Sequence, residues 1–194
     1  MVTVPEANVV VASGETEYRK HLKSTLMQCG YKLVGESDNM DATLRLYHRL
    51  IPRLIIADID NIDFDVIGLL NVIEPVGETA IVILTSNIQQ QLLSMAKESW
   101  ILTPIMKPVN KQALIAYLEI AMANFERYQK LQSELNNLKD DLETRKLVDR
   151  AKNILMKKKK MTEAEAFRSI QKKSMDNSIP MKKVAESIII TNDF

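Results

Sequence analysis

The 194-residue chain has a single cysteine, Cys29. That excludes a disulfide framework and leads us to expect a reducing, cytoplasmic compartment. Five glycines and six prolines are too few for long disordered tracts. No apolar run reaches the roughly 18 residues needed to span a bilayer, so no membrane span is expected. The N-terminus has no basic stretch followed by an apolar one, so no secretory signal is expected either. His21 and His48 have neither cysteine nor acidic ligands at metal-binding spacing and are read as surface residues.

What is present is unevenly spread. A net charge of +1 hides an acidic body and a basic tail. From Arg145 onward, thirteen basic residues face six acidic ones, a surplus of +7, while the preceding residues carry −6. A tail of this kind points to a polyanionic partner. The run Lys157–Lys160 taken alone is more often a solvated helix end. Charge spread over three helices favours the partner.

Hydrophobic residues make up 46% of the chain, enough for an ordinary core. In the first 123 residues, short β-branched runs alternate with amphipathic stretches of helical length. The runs are Asn8–Ala12, Lys32–Gly35, Leu54–Asp58, Ala80–Thr85 and Leu102–Met106. Buried strands of a parallel sheet have this composition. Between them, Glu15–Cys29 ends at Gly30, Asp41–Leu50 is stopped by Pro52, Asp65 can cap the next helix, and Gln89–Glu98 follows. Five βα units imply an α/β fold, a flavodoxin-like doubly wound five-stranded parallel sheet. The functional crevice of such sheets lies at the carboxyl ends of the strands, where Ala12, Ser13, Asp58, Thr85 and Lys107 fall.

The helix that begins at Asn110 meets neither proline nor glycine before Lys157. Leu131, Leu135, Leu138 and Leu142 recur at alternating steps of four and three, the spacing of a coiled-coil seam. Leu114, Leu118, Met122 and Phe125 continue the stripe backwards with an irregular step. A homodimeric coil is favoured over a lone helix packed on its own domain, because charges flank the seam. The chain thus divides into 1–123, a linker helix over 124–144, and a small helical domain over 145–194. In that last part, Thr162 and Glu165 form a capping box. Ala166, Phe167 and Ile170 share one helix face and are expected in the core with Met156 and Met175. A third helix starts near Ser178, tolerates Pro180 in its first turn, and carries Val184, Ala185 and Ile188.

The first part resembles the receiver domains of two-component response regulators. Pro52-Arg53-Leu54-Ile55-Ile56-Ala57-Asp58 matches the third strand, Ile81-Val82-Ile83-Leu84-Thr85 the fourth, and Met106-Lys107-Pro108 the fifth. The resemblance implies Asp58 as phosphoacceptor, Thr85 and Lys107 as groups that meet the phosphoryl oxygens, and a cis Lys107–Pro108 bond. The family's metal-binding acidic pair falls on Ala12 and Ser13, its Met-Pro on Asn61-Ile62, and its switch aromatic on Pro104. This is the pattern of a degenerate receiver in which Mg²⁺ binding is doubtful. Asp60, Asp63 and Asp65 are either replacement ligands or, the favoured reading, a solvated loop with a helix cap. Lys107 can instead form a structural ion pair with Asp58.

The last part resembles the ANTAR domain of transcription antitermination regulators. The matching run is Arg145-Lys146-Leu147-Val148-Asp149-Arg150-Ala151-Lys152-Asn153-Ile154-Leu155-Met156, followed by Thr162-Glu163-Ala164-Glu165-Ala166-Phe167, Ser174-Met175 and Val184-Ala185. The family usually has Gly at Asn153 and Ala at Ser174. The resemblance implies a dimer that binds leader-transcript stem-loops, with input from a sensor kinase or a regulatory protein. Arg150, Lys152, Lys157, Lys158, Arg168 and Lys172 are the candidate RNA contacts. No residue is assigned a catalytic role, no metal or cofactor site is assigned, and the chain is expected not to be an enzyme. The alternatives are a DNA-binding regulator and a phosphorylation-competent receiver with an atypical metal site.

Overall fold

Short β-branched runs become strands where both faces are buried, and the five apolar runs do so here. The computed structural model describes residues 7–60 and 64–191; Asn61, Ile62 and Asp63 lie outside the described residues. The elements are β1 (Asn8–Ser13), α1 (Thr16–Gln28), β2 (Lys32–Ser37), α2 (Met40–Leu50), β3 (Leu54–Asp58), α3 (Val66–Ile73), β4 (Ala80–Thr85), α4 (Gln90–Glu98), β5 (Leu102–Met106), α5 (Lys111–Lys159), α6 (Glu163–Asp176) and α7 (Met181–Ile190). Two compact units are formed, Met1–Gln129 and Lys130–Phe194, and the division falls within α5.

In the first unit the sheet has the order β2-β1-β3-β4-β5, all parallel. The order reverses between β1 and β3, so the crevice of a doubly wound sheet opens there. Right-handed crossovers put α1 on one face and α2, α3 and α4 on the other, and α5, whose Lys111 reaches Gln28 of α1, lies beside α1. β3 and β4 are buried along their whole length, as central strands covered by helices must be. Cap chemistry sets the helix ends. Asn39 accepts from the Ala42 N–H, and Asp65 accepts from the Gly68 N–H at 2.9 Å. Gly30 takes φ +86° just past α1, where a side chain would be strained.

The sheet-facing side of α5 buries Leu114, Leu118, Ala121, Met122 and Phe125 in this core. These residues therefore do not continue the leucine seam. Phe125 is 1% exposed, stacks on Trp100 at 5.5 Å and lies under the Arg53 guanidinium at 5.1 Å. Tyr117, Ile120 and Tyr128 stand exposed on α5 instead. The helix is amphipathic twice over, because one face is taken by its own domain.

In the second unit, Val148, Ala151 and Leu155 of α5 meet Ala166 and Ile170 of α6 and Val184, Ala185, Ile188 and Ile189 of α7. The expected capping box is present, with the Thr162 hydroxyl accepting from the Glu165 N–H and the Glu165 carboxylate from the Thr162 N–H. Met156 packs against this core as expected. Phe167 and Met175 do not, being 41% and 72% exposed. The reason is the fully buried alanines 151, 166 and 185. Helices meeting on alanine approach closely, so the core admits only the narrow Ala166–Ile170 stripe of α6.

Phe125→Ala is expected to lower the stability of the first unit by about 3–5 kcal/mol, the usual cost of an emptied aromatic site. Urea denaturation followed by Trp100 fluorescence checks this. A loss below about 1 kcal/mol would mean that Phe125 is not part of this core.

Candidate functional site

Parallel pairing puts Ser13 of β1 directly beside Asp58 of β3. The Ser13 hydroxyl donates to Asp58 Oδ2 at 3.0 Å, and the Lys107 ammonium, just past β5, donates to Oδ1 at 2.6 Å. Asp58 is fully buried, so these two donors compensate its charge. Lys107 follows β5 and precedes a cis peptide bond to Pro108, as the receiver resemblance implied. Its ammonium also lies 4.8 Å from the centre of the Tyr18 ring.

Asp60 is as closely bound. Its carboxylate accepts from the Thr85 hydroxyl at 2.7 Å, the Ser86 N–H at 2.8 Å, the Ser86 hydroxyl at 2.6 Å and Lys107 at 2.7 Å. Burial alone would push the Asp60 carboxyl up, but hydrogen bonds from Lys107, Ser86 and Thr85 outweigh it and hold it well below the usual carboxylate range. Burial likewise works against the Lys107 ammonium, and its bonds to Asp58 and Asp60 raise it overall. A cleft of about 420 Å³ opens beside Asp60 and Thr85, walled by Phe64, Leu92 and Met95.

Of the five pocket positions read from the sequence, Ser13, Asp58, Thr85 and Lys107 come together, with changed partners, and Ala12 contributes no polar side chain. Thr85 faces Asp60, and Lys107 serves two carboxylates. Of the loop aspartates, Asp65 is the cap, and Asp60 is exposed at the rim yet bonded to Thr85, Ser86 and Lys107 of the pocket. Sequence reasoning missed Ser86 and Arg19. The Arg19 guanidinium donates to the Ser13 carbonyl oxygen. Aspartate two residues past the third strand, facing Thr-Ser past the fourth, was the available signal.

A hard divalent cation does not fit this set. Ala12 offers no ligand, Ser13 is turned to Asp58, and Asp58 is already paired with Lys107. Among the described residues, no group of three or more His, Cys, Asp or Glu side chains is placed to hold a metal ion. No described helix is long and apolar enough to cross a membrane.

In the second unit, Lys146, Arg150, Asn153 and Lys157 share one exposed face of α5, opposite the buried Val148–Ala151–Leu155 face. Lys158 is exposed at the end of α5, and Arg168 and Lys172, one turn apart, are exposed on α6. Lys152 is committed to Asp149 and Glu163, at 2.7 Å each, and so ties α5 to α6. Lys182 holds Asp140 and Glu143 in the same way, at 2.7 Å each. Leu131, Leu135, Leu138 and Leu142 are 44–63% exposed, an apolar stripe that no described residue covers.

The low Asp60 value makes a prediction about acid stability. A carboxyl held below its unfolded value of about 3.9 stabilises the fold at higher pH, and that contribution fades as pH falls through the folded value. Asp60→Asn is expected to cost about 1.5–3 kcal/mol near neutral pH. It should also flatten the fall in stability below about pH 4, as read by urea midpoints. An unchanged acid limb would show that Asp60 is not ionised in this network.

The ANTAR domain family matches residues 136–189. The chain is 34% identical over 183 residues to transcriptional regulatory protein PdtaR of Mycobacterium tuberculosis, covering 94% of this chain and 89% of that one. It is 38% identical over 61 residues to the nitrate regulatory protein of Klebsiella oxytoca, covering 31% and 15% of the two chains. The fold of the first unit is similar to a two-component response regulator of the LuxR family from Aurantimonas, with TM-score 0.55, 19% identity, and 61% and 86% of the two chains covered. A parallel receiver-type sheet followed by a C-terminal ANTAR domain, matched along almost its whole length by a regulator of transcription, settles the family: the chain belongs to the response regulators that carry an ANTAR domain.

Proposed function

We propose that this regulator is a transcription antiterminator that binds stem-loops of a leader transcript as a homodimer, so that a terminator hairpin does not form. The observation that carries the reading is the ANTAR match over 136–189, which falls on a domain with exposed basic residues on two helices. RNA sequence is read mainly in loops and splayed bases, with Lys and Arg on phosphates. Lys157, Lys158, Arg168 and Lys172 are the foremost phosphate contacts. Arg150 lies on the same face as Lys157, and Lys152 would have to leave Asp149 and Glu163 to reach a phosphate. A signal from a sensor kinase or a regulatory protein reaches the first unit, which takes up phosphoryl groups poorly because its metal ligands are missing.

The partner for the leucine stripe is a second copy of the chain. Four exposed leucines in 4-3-4 spacing form a self-complementary seam. Burial of each contributes roughly 1.5–3 kcal/mol before the entropy of association is subtracted. Replacing Leu135 and Leu138 with lysine is expected to convert dimers to monomers in sedimentation equilibrium, with the first unit still folded. A wild-type chain that stays monomeric at high concentration would refute the dimer.

Paired-stem-loop RNA, a loop-scrambled RNA and duplex DNA, titrated over a range of salt, test the binding. Loss of one phosphate contact, as in Lys157→Ala or Arg168→Ala, should weaken binding to every RNA and lower the salt slope by about one. The paired stem-loops should bind most tightly. Equal affinity for all three would reduce the tail to non-specific electrostatics, and tighter binding to duplex DNA would make the chain a DNA-binding regulator.

A further inference from the structure

The donors around Asp60 come from two strand ends. Thr85 ends β4, Ser86 follows it, and Lys107 follows β5. Together they present a hydroxyl, a backbone N–H, a second hydroxyl and an ammonium to one carboxylate, at 2.6–2.8 Å. Convergent donors of these kinds, set at the mouth of a parallel sheet, make an oxyanion site. A carboxylate accepts about four such bonds, so Asp60 is saturated. Its place is set by the backbone. The Ile59 N–H donates to the Leu84 carbonyl at 3.1 Å, which carries the β3–β4 ladder one residue past the strand and delivers Asp60 beside Thr85 and Ser86. The Asp60 N–H turns back to Asp58 Oδ1 at 3.4 Å.

We propose that Asp60 is an internal oxyanion, occupying in cis the site that Thr85, Ser86 and Lys107 form. A phosphoryl group on Asp58 would need the same hydroxyl and the same ammonium. It would also have to displace Ser13 and Lys107 from the two oxygens of Asp58, which are both taken. The pocket thus holds its anion-binding groups engaged, with β3, β4 and β5 tied at their carboxyl ends by a residue of the chain itself. A merely structural ion pair would need Lys107 alone. The three bonds from Thr85 and Ser86 are what an anion site adds. The inference rests on the first unit only and stands whether or not the second unit binds RNA.

The test uses the full-length chain and inorganic sulfate, followed by the amide signals of Ser86 and Lys107. Wild type should show no sulfate-dependent shift at these amides, and its Ser86 N–H should be protected from hydrogen exchange. Asp60→Ala should vacate the site and bind sulfate at least tenfold more tightly, with shifts confined to Ser86, Lys107 and their neighbours. Adding Thr85→Ala should remove most of that gain. Asp60→Asn, which keeps the shape and loses the charge, gives a smaller gain and serves if the alanine variant does not fold. Folded variants that bind sulfate no better than wild type would overturn the assignment and leave Asp60 a structural partner of Lys107. So would a wild-type Ser86 amide that exchanges freely or moves with sulfate, a result that needs no variant at all.

Discussion

The first unit is organised around one electrostatic demand, a fully buried carboxylate at the centre of a parallel sheet. An unpaired charge at Asp58 would cost several kcal/mol, a large share of a typical stability margin. Ser13 meets the demand from the end of neighbouring β1, at 3.0 Å, and Lys107 from beyond the end of β5, two strands away, at 2.6 Å. The same ammonium also holds Asp60, which the backbone delivers beside it, and Asp60 accepts from Thr85 and Ser86. Side chains thereby join β3, β4 and β5 at their carboxyl ends, in addition to the backbone ladder between them.

The second unit solves a different problem. Three helices with a core of alanine, valine, isoleucine and leucine have little apolar area to bury. Ion pairs between elements supplement it, Lys152 of α5 to Glu163 of α6, and Lys182 of α7 to Asp140 and Glu143 of α5. Such exposed pairs each contribute little, but they remove two lysines from the charge available to a polyanion. The basic residues outside these pairs are concentrated on the outer face of α5 and on α6. Close helix approach on buried alanine also turns Phe167 outward, beside Arg168.

Most of the fold was legible because it depends on local pattern. Three of the five strand ranges, β3, β4 and β5, coincide with their apolar runs, and β1 and β2 run one and two residues longer. The Asp65 cap, the Thr162–Glu165 box and the unbroken α5 each follow from a few adjacent residues. Where reading failed, the cause was a choice between equivalent faces. Leu114, Leu118, Met122 and Phe125 have seam-like spacing, yet they serve their own core because the sheet lies against that side of α5. Phe167 sits next to Ala166 in sequence, but a turn of 100° separates core from solvent.

By itself the sequence determined the strands, the helices, the parallel architecture, the basic tail and the two family resemblances. All of these rest on periodicity, composition and short motifs, which act over a few residues. Only the tertiary structure decided who partners whom: that Lys107 is shared by two aspartates, that Thr85 faces Asp60, that Lys152 reaches Glu163 and Lys182 reaches Asp140 and Glu143, and that no described residue covers the Leu131–Leu142 stripe. Those outcomes depend on the register of neighbouring strands and on which helix face meets the core. Distances between residues far apart in the chain fix both, and no local pattern encodes them.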